Sequence, residues 1–316
     1  MQRVGFLLSP GFQVTTLAVL SVFEGADFRA GELRYNVRMI SKDGGPVRSS
    51  SGLMVETEKF RDPKFDTLIV CGNILLEMRG SDPAVVEFVR SAAKVSRRTA
   101  SVCTGAFILG DAGLLDGRRA TTHWGHAQNF KARFPNVTLD EDRIFIVDGN
   151  IWTSAGGTAG IDLALAMVEE DAGADVARYV AKLLVVYHRR SGGQFQRSAL
   201  LELEPKSDRI QSALAFVKKN LNSTISVEQL ASVANLSTRH FSRAFQSETG
   251  LSPAKAIEKL RIEAARLMIE EGRHSIETVA KETGFADRER MRRAFVRALG
   301  QSPQEFRRRT RSETSA

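Results

Sequence analysis

The sequence predicts two domains of different class: an α/β doubly wound domain, then an all-α domain with two helix-turn-helix motifs. Three observations support this prediction. Strand patterns alternate with helical patterns over the first two-thirds of the 316 residues, as they do in doubly wound sheets. The last third shows no strand pattern and contains an internal repeat. Nearly all of the net charge of +8 falls there, because residues from Ser207 onward include 20 basic and 13 acidic side chains.

Composition excludes several classes of protein. Hydrophobic residues make up 42% and charged residues 26% of the chain, which is enough apolar content for a sizeable core. The two cysteines, Cys71 and Cys103, cannot build a disulfide framework, and no metal or cofactor motif is present. No run approaches the ~18 apolar residues of a membrane span, and the N-terminus shows no signal-peptide cleavage pattern. We therefore expect a cytoplasmic protein with reduced thiols and no membrane partner.

The elements of the first domain follow in order along the chain. Apolar runs at 4–8 and 67–71 predict strands buried on both faces of a parallel sheet, 99–102 is a third strand, and 35–40 alternates as a further strand. Helical patterns cover 16–28, 83–95 and 161–170, the second of them opening with Pro83. Asp148 and Gly149 lie between 144–147 and 151–153, which predicts a hairpin.

The second domain contains two copies of one pattern. Residues 226–231 match 275–280 at an offset of 49, and 250–253 match 300–303 at an offset of 50. Asn235 of the first copy corresponds to Gly284 of the second, and one inserted residue in the second turn explains the changed offset. Each copy predicts a short helix capped by Ser226 or Ser275, a tight turn, and a second helix. This is the helix-turn-helix pattern, in which the second helix usually enters the major groove of DNA.

The second helix of each copy, at about 237–248 in the first copy, places apolar residues on one face and polar residues on the other. Arginine can bind guanine edges and glutamine adenine edges, so the polar faces suit base reading, and the basic residues 307–309 suit phosphates. The alternative is that these arginines form only a solvated helix face, but two copies with the same arrangement favour double-stranded DNA as the partner. The candidate DNA-binding residues are Arg239, Ser242, Arg243 and Gln246 in the first copy, and Arg288, Glu289, Arg292 and Arg293 in the second.

At these residues the second domain resembles the AraC/XylS family of transcription regulators. The most specific part is Gly284-Phe285, followed by Phe295, Gly300, Ser302-Pro303 and Phe306. The resemblance implies two helix-turn-helix subdomains joined by a long helix, here about 253–271, that read DNA segments roughly 10 bp apart. It gives base-contact positions to Arg239, Ser242 and Arg243, and to Glu289, Arg292 and Arg293.

In the first domain, Val102-Cys103-Thr104-Gly105 places a cysteine at a sharp turn from strand to helix. Such a turn exposes a nucleophile, and a helix N-terminus lowers the pKa of a thiol. His123 is a candidate base for this thiol. The alternative is that Cys103 is simply a small packed hydrophobic residue, which is the commoner role for a cysteine after a strand.

Residues 103–124 and 153–162 resemble the PfpI-like, class I glutamine-amidotransferase-like superfamily, which implies a flavodoxin-like fold. Together with the AraC-like tail, nearly the whole chain resembles the GlxA-type subfamily. Two positions depart from the enzymes of the superfamily. Thr16 occupies the place of their acidic residue, and Thr104 follows the cysteine where the proteases have histidine. A thiolate without a partner to orient it is a poor catalyst, so no catalytic residue is expected here.

We therefore predict a sequence-specific DNA-binding regulator, of the activator type, that responds to a metabolite such as an amino acid or a quaternary amine. The domains are 1–190 for ligand sensing, 191–207 as linker and 208–310 for DNA binding. The ligand is expected at Thr16, Cys103, Thr104, His123 and Trp124, at the carboxyl ends of the strands. A homodimer and a contact with RNA polymerase are further expectations. The alternative function is a cysteine-dependent amidase or protease tethered to DNA.

Overall fold

A computed structural model describes residues 1–30, 34–73, 80–186, 190, 192, 195–196, 203, 205–270 and 272–314. Glu271 and most of the predicted linker 191–207 lie outside the described residues. The chain divides into two compact units, Met1–Gln196 and Arg197–Ala316. The division falls inside the predicted linker, and Gln196 belongs to the first unit.

The first unit contains a large sheet with helices on both faces, as the sequence predicts. Its strand order is β3-β4-β2-β1-β5-β6-β10-β9, parallel except for the β3–β4 and β9–β10 pairs. A separate parallel pair is formed by β7 and β8. The strands are β1 Gln2–Leu7, β2 Tyr35–Ser41, β3 Gly45–Arg48, β4 Met54–Lys59, β5 Thr67–Cys71, β6 Arg98–Val102, β7 Arg119–Ala120, β8 Thr138–Leu139, β9 Phe145–Asp148 and β10 Ile151–Ser154.

Helices of the first unit cover two apolar clusters, one on each face of the sheet. Every residue of β5 and β6 is buried, because helices pack on both sides of these central strands. Asp82 caps the helix that Pro83 opens, by accepting a hydrogen bond from the backbone N–H of Ala84. The helices are α1 Leu20–Ala30, α2 Pro83–Ala93, α3 Gly105–Asp111, α4 Ala127–Arg133, α5 Thr158–Ala172 and α6 Ala174–Leu183.

The structure adds elements that the sequence patterns did not indicate. The predicted helix at 16–28 is a 3₁₀ helix, Val14–Val19, that continues into α1. The strands β3 and β4 lie at the edge of the sheet, where one face meets solvent and the apolar run of a central strand is absent. The helices α4 and α6 were also not predicted, and neither were the two-residue strands β7 and β8.

The second unit is helical throughout its described residues, which confirms the predicted all-α class. Ser226 and Ser275 both cap their helices, as predicted. Among the described residues, no helix combines the length and the apolar character that crossing a bilayer requires. The helices are α7 Asp208–Lys219, α8 Val227–Val233, α9 Thr238–Thr249, α10 Pro253–Glu270, α11 Ile276–Glu282, α12 Arg288–Leu299 and α13 Pro303–Thr314.

Candidate functional site

Cys103 occupies the turn between β6 and α3, with a left-handed φ of +59°. A residue with a Cβ atom in such a conformation stores of order 1–3 kcal/mol of strain, which persists only where the surroundings enforce it. The backbone N–H of Cys103 donates to the carbonyl of Ser154, 3.0 Å away, and so ties the turn to the end of β10. The sharp strand-to-helix turn predicted from the sequence is therefore present.

Three glycines make room for this turn. A Cβ atom on Gly156 would lie 2.4 Å from the Cβ of Cys103. A Cβ on Gly72 would lie 2.2 Å from Oγ1 of Thr104, and one on Gly105 would lie 2.2 Å from the carbonyl oxygen of Val70. Atoms cannot approach so closely, so the turn depends on the absence of side chains at these positions.

The thiol of Cys103 is almost completely enclosed, since only 3% of the residue is exposed. Its hydrogen bond goes to Oε1 of Gln13, at an Sγ–O distance of 3.6 Å. Burial raises the pKa of the Cys103 thiol, and contacts with Thr104 oppose this rise only in part. The thiol is therefore protonated at neutral pH, in contrast to the activated thiolate of a cysteine hydrolase.

Thr16 and Thr104, two of the predicted ligand residues, lie beside the turn with their hydroxyl groups bound to the backbone. Oγ1 of Thr16 donates to the carbonyl of Gln13 at 2.6 Å, and Oγ1 of Thr104 donates to the carbonyl of Asn73 at 2.8 Å. Sequence reasoning placed Thr16 at the acidic position and did not single out Gln13. Gln13 nevertheless supplies the polar atom next to the thiol. The position of Gln13 could have indicated this role. Gln13 follows β1, and the carboxyl ends of β1 and β6 lie on the same edge of the sheet.

His123 and Trp124 lie in the segment after β7, and this segment contacts the Cys103 turn. Oγ1 of Thr122 donates to the carbonyl of Cys103 at 3.1 Å. The rings of His123 and Trp124 are 5.4 Å apart, and half of Trp124 is exposed to solvent. Burial lowers the pKa of His123, and the nearby His126 lowers it further, so His123 is neutral at pH 7. The structure thus brings this aromatic segment next to the Cys103 turn.

Gln196, the last residue of the first unit, is bound to the same segment. Its amide nitrogen lies 2.7 Å from the carbonyl oxygen of Thr122 and 3.1 Å from Oγ1 of Thr121. Its Oε1 accepts a hydrogen bond from the backbone N–H of Trp124 at 2.8 Å. The segment that carries the aromatic residues is therefore held by the residue after which the chain leaves the first unit.

In the second unit, α9 has the buried and exposed faces predicted for the second helix of the first copy. Phe241 and Phe245 are buried, whereas Arg239, Arg243 and Gln246 are exposed. Ser242 is half-buried, and its hydroxyl donates to the carbonyl of Thr238 within the helix.

The second reading helix, α12, exposes Arg288, Glu289, Arg292 and Arg293 as predicted. Glu289 holds Arg292 by two hydrogen bonds of 2.7 and 2.8 Å, and Nε of Arg293 lies 4.0 Å from the same carboxylate. Arginine 292 lowers the pKa of Glu289 through this hydrogen bond. Of the basic residues predicted to bind phosphates, Arg308 is exposed, whereas Arg307 donates to the carbonyl of His274 at 2.6 Å.

Comparison with protein families matches both units. The model of the DJ-1/PfpI family matches residues 2–170, and that of a helix-turn-helix domain matches residues 230–309. The chain belongs to the DJ-1/PfpI family. The resemblances stated from the sequence are thereby confirmed for both domains.

Three relatives illustrate the two halves of this DJ-1/PfpI protein. The HTH-type transcriptional regulator GbdR of Pseudomonas aeruginosa is 30% identical over 97% of this chain and 84% of its own length. The regulator GlxA of Rhizobium meliloti is 29% identical over 99% of this chain and 97% of its own. Isonitrile hydratase of Pseudomonas putida is 38% identical, but over 56% of this chain and 75% of its own. The relatives that match along the whole length are regulators, whereas the enzyme matches only part of it.

The helix-turn-helix match and the full-length similarity to HTH-type regulators show that this DJ-1/PfpI protein is a DNA-binding transcriptional regulator. Its N-terminal unit has the fold of a family that also includes enzymes.

Proposed function

We propose that the N-terminal unit binds a small effector at the Cys103 turn and thereby controls DNA binding by the C-terminal unit. The observation that carries this proposal is the turn itself, which keeps a strained φ of +59° while its thiol is buried beside a neutral amide. Backbone strain of this kind clusters at functional sites, so a function other than nucleophilic attack is the reason to maintain it.

The proposed site does not catalyse a reaction. The amide oxygen of Gln13 accepts a hydrogen bond from the thiol of Cys103, but an amide is too weak a base to remove the thiol proton. No carboxylate stands at Thr16, and the raised pKa of Cys103 leaves the nucleophile in its unreactive form. These features support a degenerate hydrolase site.

The effector class we propose is an amino acid or a quaternary amine, bound against the accessible His123 and Trp124, with the buried Thr16, Cys103 and Thr104 behind them. The half-exposed Trp124 supports a cationic ligand, because the face of an indole attracts cations. A neutral His123 beside it adds no charge that would repel a cation.

Gln196 supplies the route from the effector site to the DNA-binding unit. A ligand that moves Trp124 or Thr122 alters the hydrogen bonds of Gln196, and the chain leaves the first unit at that residue. Such coupling requires that the ligand bind one arrangement of this contact more tightly than the other. The regulator is further proposed to act in the cytoplasm as a homodimer and as an activator in contact with RNA polymerase.

The first experiment is a thermal-shift screen of the full chain against amino acids, betaines and polyamines. A compound that binds only the folded state adds about 2.7 kcal/mol of stability at a hundred times its dissociation constant. We expect one of these classes to raise the melting temperature and Trp124→Ala to abolish the shift. Tyr179→Ala, which removes an exposed aromatic ring from α6, is the control and should leave the shift intact. A shift that survives Trp124→Ala places the ligand elsewhere and contradicts the proposal.

The second experiment tests the coupling through Gln196, using the compound found in the screen. Gln196→Ala should leave the thermal shift in place but reduce the effect of the compound on DNA affinity. Gln128→Ala, an exposed glutamine on α4, is the matched control. If Gln196→Ala responds to the compound as fully as the control does, the coupling runs by another route.

The alternative of a cysteine-dependent enzyme is supported by the 38% identity to isonitrile hydratase. Cys103→Ala distinguishes the two functions. A regulator of the proposed kind keeps its response to the effector in this variant and shows no turnover in either form. Turnover of an amide or an isonitrile by the full chain that disappears in Cys103→Ala would establish the enzyme instead.

A further inference from the structure

The two helix-turn-helix subdomains are joined by direct contacts in addition to the long helix α10. Arg261 of α10 donates from Nε to the carbonyl of Leu221 at 3.2 Å and from Nη2 to the carbonyl of Ser223 at 2.7 Å. Both carbonyls belong to the loop between α7 and α8 of the first subdomain. The turn of the second subdomain approaches the same loop, because a Cβ on Gly284 would lie 1.9 Å from the Leu221 oxygen. The joint therefore fixes the loop, the long helix and the second turn against one another.

Beside this joint lies a cleft of about 550 Å³ between the two subdomains. One side is formed by residues 222–225 of the loop and by the start of α10, and the other by the second turn and α12. The charged side chains that line it are Glu258, Arg261, Lys281, Arg290, Arg293 and Arg297, so five positive charges face one negative charge. The neutral side chains of Asn222, Ser223 and Thr224 are exposed along the rim.

The cations of the cleft have carboxylate neighbours that a stronger anion could displace. Arg297 pairs with Glu258 at 2.7 Å, and Arg290 lies 3.7 Å from Asp287. All four side chains are more than 40% exposed, and exposed pairs of this kind contribute little stability. A phosphate can therefore replace these carboxylates at small cost, with the arginines already oriented.

The cleft opens beside the second reading helix, since Arg293 belongs both to the reading face of α12 and to the lining. Two reading helices in successive major-groove segments leave the minor groove, with its two phosphate backbones, between them. A cationic cleft between the subdomains has the charge that suits this part of the duplex.

We propose that this cleft binds the phosphodiester backbone between the two DNA segments that the reading helices occupy. Lys281, Arg290 and Arg297 contact phosphates there and read no bases, whereas Arg293 lies at the boundary and reads bases. This assignment rests on DNA binding by the two reading helices. It adds three residues, none of them on the predicted reading faces, that set the position of the protein on the duplex.

The test uses the full chain and two duplexes: one selected by this chain from a random-sequence pool, and one of random sequence. Each phosphate contact contributes about 0.9 to the slope of log affinity against log salt concentration. We expect Lys281→Gln/Arg290→Gln/Arg297→Gln to lower that slope by about 2–3 on both duplexes, with the selected base preferences unchanged. Lys218→Gln/Lys219→Gln/Lys255→Gln removes the same charge outside the cleft lining and should change the slope by less than 1. Equal slopes in the two triple variants would overturn the proposal. Single Arg290→Gln and Arg297→Gln variants, each expected to lower the slope by about 1, serve if the triple variant does not fold.

A second arm locates the contact on the DNA. Single phosphates between the two read segments are replaced by uncharged methylphosphonates. Wild-type protein should lose affinity at one or more of these positions, and the cleft variant should lose none there. A loss of the same size in both proteins would overturn the proposal. So would stabilisation of the free protein by millimolar inorganic phosphate without any methylphosphonate effect, because the cleft would then serve a free anion. If the two helices do not read bases, Arg243→Ala will leave the base preference unchanged. The salt slopes measured on the random duplex still test the cleft in that case.

Discussion

Gly284 offers the sharpest test of the joint between the two helix-turn-helix subdomains. It has a φ of +77°, and an added Cβ would lie 1.9 Å from the Leu221 oxygen and 2.8 Å from Nε of Arg261. Gly284→Ala therefore combines two costs. The left-handed conformation costs an alanine about 1–2 kcal/mol. Pushing apart packed atoms costs about 1–3 kcal/mol more. We expect the free energy of unfolding of the C-terminal unit to fall by about 2–5 kcal/mol.

Gly300→Ala is the matched control. Gly300 has a φ of +66°, yet nothing lies within 4 Å of its added Cβ, so only the conformational cost of about 1–2 kcal/mol applies. Both tryptophans, Trp124 and Trp152, lie in the N-terminal unit, so fluorescence follows that unit while far-ultraviolet circular dichroism also follows the helical one. With an m value of about 2 kcal/mol/M in urea, the helical midpoint should fall by roughly 1–2.5 M in Gly284→Ala and roughly 0.5–1 M in Gly300→Ala. Equal shifts in the two variants would refute the reasoning.

Three further predictions concern single residues. Arg243→Ala should cost about 1–3 kcal/mol at one base step and relax specificity there, and equal weakening on selected and random duplexes would show that Arg243 reads no base. Arg308→Ala should weaken binding to all sequences alike and lower the salt slope by about 1, so an unchanged slope would place Arg308 away from phosphate. The free energy of unfolding of the N-terminal unit should fall as the pH rises above 9.0, the usual pKa of a thiol. Burial raises the pKa of Cys103, so the unfolded chain releases a proton that the folded chain keeps. Cys103→Ala should make this decline shallower, and an equally steep decline would contradict the assignment.

The central strands and the helix-turn-helix repeat could be predicted from sequence because their signals are local. An apolar run such as 67–71 is typical of a strand with helices on both faces of its sheet. Each copy of the repeat also contains the serine that caps its first helix, Ser226 or Ser275. The inserted residue was also located correctly, because the caps of α9 and α12 are Ser237 and Asp287, 50 positions apart. The edge strands β3 and β4 escaped prediction because many of their side chains meet solvent. They are held by backbone pairing, β4 with β2 and β3 with β4, which leaves no apolar run in the sequence.

Only some residues of the candidate sites could be predicted from the sequence. The exposed arginines of α9 and α12 followed from helical spacing alone. Gln13 and Gln196 did not, because each acts through contacts with residues about 90 or 70 positions away in the chain. The cleft could not be predicted either, since it forms only when the loop at 222–225 meets a turn about 60 residues later.

Asn235 and Gly284 show how the same repeat position obeys different constraints. Both have a left-handed φ, of 53° and 77°, so both turns need a residue that tolerates this conformation. Asparagine tolerates this conformation, and Asn235 is exposed in the first copy. The second copy requires glycine because the Leu221 oxygen occupies the space of a Cβ.

The same reasoning applies to the Cys103 turn, where the backbone shape of the turn and catalysis by a cysteine have different requirements. The shape requires small residues at Gly72, Gly105 and Gly156, and all three are present with no space for a Cβ. The chemistry of a cysteine hydrolase requires an accessible thiolate and a group that takes its proton, whereas the thiol here is buried and bonded to an amide. A chain that needed neither shape nor chemistry could relieve the strain at Cys103 with a glycine. Cys103 has the strained conformation and the three glycines leave room for it, which favours our proposal that a ligand recognises the shape of this turn.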